Sequence, residues 1–230
     1  NDITRIINVE DMYDPGTGYV SNTIPFNTAV TGSNQRQILY TPADFTNAQP
    51  GFINKVYIKS TSAVVGSVYQ NVVIKMGTTS LTAMTTGPWI TTGMTTVFSA
   101  ATHTITSLTG NWIEFTLQTP FLYDNISNFV IEFSHGGFTS GFTISTINTG
   151  VGSRSLIGNS GAASVSAVVQ LPIFGFTATP LGPCTSPPVV GNATANLSTV
   201  CINNSVNLAL SSVTNGQGQH YQWQYSADGR

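Results

Sequence analysis

The residues best suited to covalent chemistry are Ser134 and His135, which stand side by side in the sequence Ser-His-Gly-Gly. This tetrapeptide is superficially similar to the oxyanion loop of esterases, which works only beside a G-x-S-x-G elbow on an α/β sheet. The chain contains no G-x-S-x-G motif, and its sequence shows no helix of ordinary length. We therefore expect the tetrapeptide to be a glycine turn that closes a strand, and the chain not to be an enzyme.

A second possible chemistry is glycoside hydrolysis, which needs two carboxylates on either side of a cleft. Glu114 and Glu132 both lie on the polar face of a predicted strand, so they could share one sheet surface. They could equally be solvated, or paired with Lys55, Lys59 or Lys75. Because charged side chains are ordinary on the outer face of a sheet, we expect a structural role for both glutamates and no catalytic residue.

The acidic cluster of the chain consists of Glu10, Asp11 and Asp14, beside a glycine-rich turn. Carboxylates in a flexible loop suit Ca²⁺, which takes roughly six to eight oxygen ligands. The cluster lacks the D-x-D-x-D-G spacing of strong calcium loops. We expect an exposed turn and no cofactor, with a structural Ca²⁺ ion as the alternative.

Aromatic rings at loop positions could form a platform for sugars, which stack on flat rings. The candidates are Trp89, in the sequence Gly-Pro-Trp-Ile, together with Tyr13 and Trp112. The alternative is that such a tryptophan plugs the end of a hydrophobic core. Either way these rings must be held by the strands around them.

The composition predicts an all-β chain. Only 7% of the residues are charged, whereas 40% are hydrophobic and 10% are aromatic. Thr, Val, Ile, Phe and Tyr favour half-buried strands. The net charge of −2 comes without a basic patch, which argues against nucleic-acid binding. No apolar stretch approaches the ~20 residues of a membrane-spanning helix.

Alternation of apolar and polar residues predicts about nine antiparallel strands with one buried face each. They contain the runs 19–25, 35–40, 55–59, 71–76, 97–105, 112–118, 129–134, 141–147 and 165–173. A single helical turn is predicted at 42–45. Strands of this kind joined by Gly, Ser and Asn loops favour a two-sheet sandwich of jelly-roll type.

Three segments are predicted along the chain. A jelly-roll-like domain covers 1–179, a linker rich in proline covers 180–190, and an incomplete immunoglobulin-like repeat covers 191–230. Trp223 lies in a predicted strand, and the Asp-Gly turn after it would need a partner strand beyond Arg230. We therefore expect an N-terminal piece of a serial array. Cys184 could pair with Cys201, or Cys201 could pair with a residue beyond Arg230.

The last fifth of the chain resembles the immunoglobulin-like repeats of Bacteroidota surface proteins. The matching motifs are Val-Cys at 200–201, Ser-Val-Asn-Leu at 205–208 and Tyr-Gln-Trp-Gln-Tyr-Ser-Ala-Asp-Gly at 221–229. The upstream domain resembles a sandwich domain of the same exported proteins, at 37–40, 51–53, 74–80, 112–115 and 119–124.

This resemblance implies a large secreted or cell-surface protein, exported by the type IX secretion route to the outside of a bacterial cell. The implied function is cell adhesion or surface attachment, as in gliding-motility or host-contact adhesins. The alternative is a carbohydrate-binding accessory module of an extracellular hydrolase. The expected partners are an extracellular glycan or other surface ligand, neighbouring domains of the same polypeptide and the export machinery.

Overall fold

The larger part of the chain is an antiparallel β-structure, which confirms the predicted all-β class. A computed structural model describes residues 9–26, 33–150, 152–181, 192–196, 199 and 207–211. The chain divides into two compact units, Asn1–Pro180 and Leu181–Arg230. Within the described residues, no helix is long and apolar enough to cross a membrane.

The larger unit contains fourteen described strands and one short helical turn. The strands are β1 Val9–Tyr13, β2 Val20–Asn22, β3 Asn34–Tyr40, β4 Gly51–Lys59, β5 Val64–Thr79, β6 Thr95–Ser107, β7 Trp112–Tyr123, β8 Asn128–His135, β9 Gly137–Phe138, β10 Ile144–Asn148, β11 Ser155–Asn159, β12 Ser166–Val168, β13 Gln170–Pro172 and β14 Phe174–Pro180. The predicted helical turn is present as a 3₁₀ helix at Pro42–Asp44.

Two main sheets form the sandwich. One has the strand order β1-β14-β4-β7, and the other has the order β12-β11-β3-β8-β5-β6, with β9 paired to β5. A third sheet of order β13-β10-β2 lies in the same unit. All pairings among the described strands are antiparallel. The jelly-roll connectivity stays a prediction.

The main core lies between the two sheets. Ile131 and Phe133 from β8 and Phe115 from β7 belong to the same buried cluster. Phe26 is buried in this cluster, with its ring centroid 4.7 Å from that of Phe142. Each buried aromatic side chain of this size removes roughly 150–250 Å² from water, so burial of these rings is a major source of stability.

One predicted strand is wrong as a single element. The run 165–173 is divided at Val169, which is 41% exposed. The physical reason is that its two halves belong to different sheets. β12 pairs with β11 of the seven-stranded sheet, whereas β13 pairs with β10 of the three-stranded sheet. Alternation continues across the break, so the pattern alone does not reveal it.

A second, smaller core lies on the outer face of the seven-stranded sheet. We call residues 80–94, between β5 and β6, the strap. Met84 of the strap packs with Leu39, Val130 and Leu156 of the sheet, and Val165 completes this buried cluster. The strap therefore covers part of a sheet face that alternation alone predicts to be solvated.

The smaller unit is described only in part. β15 Asn192–Ala195 pairs antiparallel with β16 Leu208–Ser211. The predicted features Cys184, Cys201 and Trp223 lie outside the described residues. The immunoglobulin-like repeat thus stays a prediction.

Candidate functional site

Ser134 and His135 do not form a catalytic pair. Successive side chains of a strand point to opposite faces of the sheet. Ser134 lies on the outer face, whereas the imidazole of His135 is buried in the main core, with its ring centroid 5.1 Å from that of Tyr69. The prediction that this sequence closes a strand agrees with the end of β8 at His135.

Glu114 and Glu132 do not share one sheet surface, because β7 belongs to the four-stranded sheet and β8 to the seven-stranded sheet. Glu114 is exposed and accepts a hydrogen bond from Lys55 at 2.9 Å. This bond holds the pKa of the Glu114 carboxyl below its usual value. Glu114 is therefore paired with a lysine, which was one of the alternatives that the sequence left open.

Glu132 is different because its side chain is only 3% exposed. Its residue partners directly across the sheet are Gln37 on β3 and Lys75 on β5. Lys75 Nζ lies 3.1 Å from Glu132 Oε1. The side-chain amides of Gln35 and Gln37 each donate to Oε2 over 2.7 Å. A buried carboxylate needs such partners, since burying an unpaired charge is costly.

Gln35, Lys75 and Glu132 line a cleft on the outer face of the seven-stranded sheet, which we call the outer cleft. Its volume is about 270 Å³. It is lined by Ser33, Gln35, Asn71, Val73, Lys75, Glu132, Ser134, His135, Gly136 and Ser160. Hydroxyl, amide and ionic groups thus converge on one concave surface, the usual setting of a binding site.

The strap is bonded to the sheet next to Glu132, through Gln37. The side-chain amide of Gln37 donates to the carbonyl oxygen of Ile90 at 2.6 Å and accepts from the N–H of Ile90 at 2.9 Å. Gln37 thereby pairs with a strap residue as a neighbouring strand would. The same side chain also donates to Glu132, so the strap and the buried carboxylate are fixed together.

One end of the outer cleft is shaped by Asn71 and Gly136. Asn71 has φ of 49°, in the left-handed region that asparagine tolerates better than most residues. A Cβ atom at position 136 would lie 3.1 Å from Asn71 Nδ2, which is closer than ordinary packing allows. Glycine at 136 therefore leaves room for the amide of Asn71 beside the cleft.

The acidic cluster is divided between separate partners. Asp11 is buried and accepts a hydrogen bond from the N–H of Asn47 at 2.7 Å. Asp14 pairs with Lys59 at 2.7 Å. Burial opposes ionisation of Asp14, but hydrogen bonds from Lys59, Tyr19 and a backbone N–H outweigh it and lower its pKa. Within the described residues, no group of three His, Cys, Asp or Glu side chains could hold a metal ion.

All three predicted platform rings are half-buried. Trp89 is half-buried on the smaller core, and its Cζ2 lies 3.5 Å from where a Cβ of Gly158 would be. Tyr13 packs edge-on against Tyr40 with ring centroids 6.1 Å apart. Trp112 is half-buried on the other sheet, beneath Lys59 Nζ at 5.7 Å from its centroid. None of these rings lines the outer cleft.

The outer cleft was not among the sites predicted from the sequence, although the sequence contains a signal for it. Gln35 and Gln37 stand at alternate positions in one predicted strand, on the face opposite the apolar Ile38. Val130 and Leu39 are apolar on that same outer face, which indicates that something covers it. Where polar and apolar residues lie side by side on the outer face of a sheet, the sequence therefore predicts that another segment covers part of that face.

The chain matches no protein-family model, and no curated protein or solved structure gives a significant match. The kind of ligand that suits the outer cleft is therefore inferred from the groups that line it. Lys75 and Glu132 carry opposite charges and neutralise each other. The remaining lining groups include serine hydroxyls and the amides of Gln35 and Asn71, which both donate and accept hydrogen bonds. Such a surface suits a neutral ligand rich in hydroxyl groups.

Proposed function

We propose that this chain is a non-enzymatic binding module of a larger secreted or cell-surface protein, and that its outer cleft holds a glycan. The observation that carries the proposal is the concave, charge-balanced set of hydroxyl and amide groups on the outer face of the seven-stranded sheet. Sugar hydroxyls both donate and accept hydrogen bonds, so they match amide and hydroxyl partners.

The size of the outer cleft limits the ligand. Its volume of about 270 Å³ lies just below the ~300–1,000 Å³ of pockets for drug-sized ligands. One sugar ring, with part of a second, is therefore the expected occupant. Affinity at such a small site would be modest, and many copies on one surface would raise it through multivalency.

The cleft favours binding over hydrolysis. Among its described lining residues, Glu132 is the single carboxylate, whereas glycosidases of the common type use two. Both oxygens of Glu132 already accept hydrogen bonds from Lys75, Gln35 and Gln37. The carboxylate is thus engaged in fixing the wall of the cleft.

The biological role that we propose is attachment of a bacterial cell surface to a glycan-bearing surface. What supports the extracellular location and type IX export is the sequence resemblance to Bacteroidota surface proteins. A carbohydrate-binding accessory module of an extracellular hydrolase would use the same cleft. The two roles differ in what the neighbouring domains of the polypeptide do, since an accessory module accompanies a catalytic domain.

The proposal is tested by screening the purified chain against an array of neutral and acidic glycans and comparing two blocked variants. Ser134→Phe fills the floor of the cleft, and Ser160→Phe fills its exposed rim. Thr116→Phe is the matched control, because Thr116 is exposed on the other sheet. Melting temperatures establish that each variant is folded.

We expect wild type and Thr116→Phe to bind the same glycans, and both blocked variants to lose at least about tenfold in affinity. A chain that binds no glycan on the array contradicts the proposal. So does unchanged binding by a folded Ser134→Phe and a folded Ser160→Phe, because the ligand would then occupy another surface.

A further inference from the structure

Three buried polar side chains lie close together on the inner face of the seven-stranded sheet, opposite the face that carries the outer cleft. Asn34, Arg36 and His135 are 2%, 0% and 3% exposed. Asn34 and His135 are direct partners across β3 and β8, so their Cβ atoms are roughly 4.5–5.5 Å apart. Arg36 lies two residues from Asn34 on the same face of β3, at a distance of ~7 Å along the strand. The three side chains are therefore close enough to contact one small ligand.

Each of these side chains has one buried nitrogen without a hydrogen-bond partner among the residues that the structure describes. The atoms are Asn34 Nδ2, Arg36 Nε and His135 Nδ1. The other such atom in the described part of the chain, Trp89 Nε1, belongs to the smaller core on the opposite face of the sheet. Buried polar groups in proteins are nearly always paired. Three unpaired nitrogens at neighbouring positions therefore point to a shared ligand.

The charge beside this position is positive. The guanidinium of Arg36 donates to the carbonyl oxygens of Ile24 at 3.2 Å and Gln170 at 2.6 Å, and to the hydroxyl of Ser155 at 3.2 Å. All three acceptors are neutral, and among the described residues no carboxylate pairs with Arg36. Burial lowers the pKa of Arg36 to about 10, so this side chain is still protonated at neutral pH. Because a buried charge without an ionic partner is costly, a small anion would stabilise it.

The protonation state of His135 determines whether an anion fits. A carbonyl oxygen can only accept, so the hydrogen bond between His135 Nε2 and the carbonyl of Pro25 places the proton of the neutral ring on Nε2. Nδ1 of the neutral ring then presents a lone pair, which repels an anion and suits a water molecule. When His135 is protonated, Nδ1 becomes a third donor beside those of Asn34 and Arg36.

We propose that Asn34, Arg36 and His135 form a buried site for a small monovalent anion such as chloride, which binds together with a proton on His135. The two events are linked because each reduces the cost of the other. Burial lowers the pKa of His135, and its protonation near Arg36 would add a second buried positive charge, which an anion offsets. Of the elements packed against His135, β3 contributes Arg36 and β5 contributes Tyr69, whose ring centroid lies 5.1 Å away. Burial raises the pKa of Tyr69, so its hydroxyl is neutral when His135 titrates.

The test compares chloride with gluconate at equal ionic strength, so that general screening by salt is the same in both. Urea midpoints of the wild-type chain are measured with each salt from about pH 6 to about pH 8, the range in which histidines titrate. An anion that binds the folded chain alone raises its stability as the anion concentration exceeds the Kd. Because one proton accompanies each anion, the chloride affinity should rise about tenfold for each unit by which the pH falls while His135 is mostly neutral.

His135→Gln should abolish the effect of chloride. His103→Gln is the matched control, because burial also lowers the pKa of His103 but this residue lies on β6 at the edge of the sheet. Bromide located by anomalous diffraction in wild-type crystals at about pH 6 gives a second readout that needs no variant. Bromide between the three side chains supports the proposal. A chloride effect that is equal at all pH values, one that a folded His135→Gln retains, or bromide found only at exposed positions would overturn it.

Discussion

Replacing the buried carboxylate of the outer cleft by an amide tests how much the hydrogen bonds and ion pair around Glu132 contribute to stability. In Glu132→Gln the side chain keeps nearly the same shape but loses its charge. One of its two oxygens becomes an NH₂ group. In one orientation the new NH₂ group faces the NH₂ groups of Gln35 and Gln37, which are also donors. In the other orientation it faces the ammonium group of Lys75, which is a donor as well.

The expected cost follows from the contacts. Removing one partner of a buried ion pair typically costs about 3–5 kcal/mol. Lys75 is one-third exposed and can turn to water, which reduces the cost, so we expect a loss of about 2–4 kcal/mol in the free energy of unfolding. For a domain of this size that is a fall in melting temperature on the order of 10 °C.

Glu114→Gln is the matched control, because the same substitution breaks an ion pair of similar length on the other sheet. The side chains of Lys55 and Glu114 are 39% and 43% exposed, and exposed pairs contribute about 1 kcal/mol or less. Urea denaturation followed by circular dichroism measures both variants. Equal losses for the two variants would refute the reasoning that burial distinguishes Glu132 from Glu114.

Two further predictions concern pH. Burial raises the pKa of Tyr69 and of Tyr123. The stability that their neutral hydroxyls contribute is therefore complete below pH ~10 and is lost as the pH rises through the raised pKa values. Absorbance at 295 nm should show these two tyrosines ionising only when the chain unfolds, and their reversible ionisation in a folded chain would contradict this prediction. Burial lowers the pKa of His135 despite its hydrogen bond with the carbonyl oxygen of Pro25, so stability should be lost as the pH falls below ~6.5. His135→Gln should flatten that part of the urea-midpoint profile, and a profile of unchanged slope would count against this prediction.

The strand faces could be predicted from the sequence because one face of each strand packs on the main core. Ile113, Phe115 and Leu117 alternate in β7, and all three are buried as the period-2 pattern predicts. The pattern does not tell which strands are neighbours. For that reason the sequence placed Glu114 and Glu132 on one possible surface, while the pairing of β7 with β4 and of β8 with β3 and β5 separates them.

The strap could not be predicted by periodicity, because its apolar residues follow neither a strand nor a helix pattern. Met84 and Ile90 reach the smaller core from an irregular segment. The position that they cover depends on β3, β8 and β11 being neighbours, which the sequence does not show. The outer cleft likewise depends on β3, β8 and β5 being neighbours, which the sequence does not show.

The polar network around Glu132 is not needed for the stability of the sandwich. The main core already binds the two sheets together, and apolar residues such as Val130 and Leu156 show that the outer face can be covered without charge. Replacing an entire buried ion pair by apolar side chains is often neutral or stabilising. Stability of the sandwich alone would therefore favour an apolar strap contact at Gln37, Lys75 and Glu132 as well. The position of this polar network beside the outer cleft supports the proposed recognition of a hydroxyl-rich ligand there.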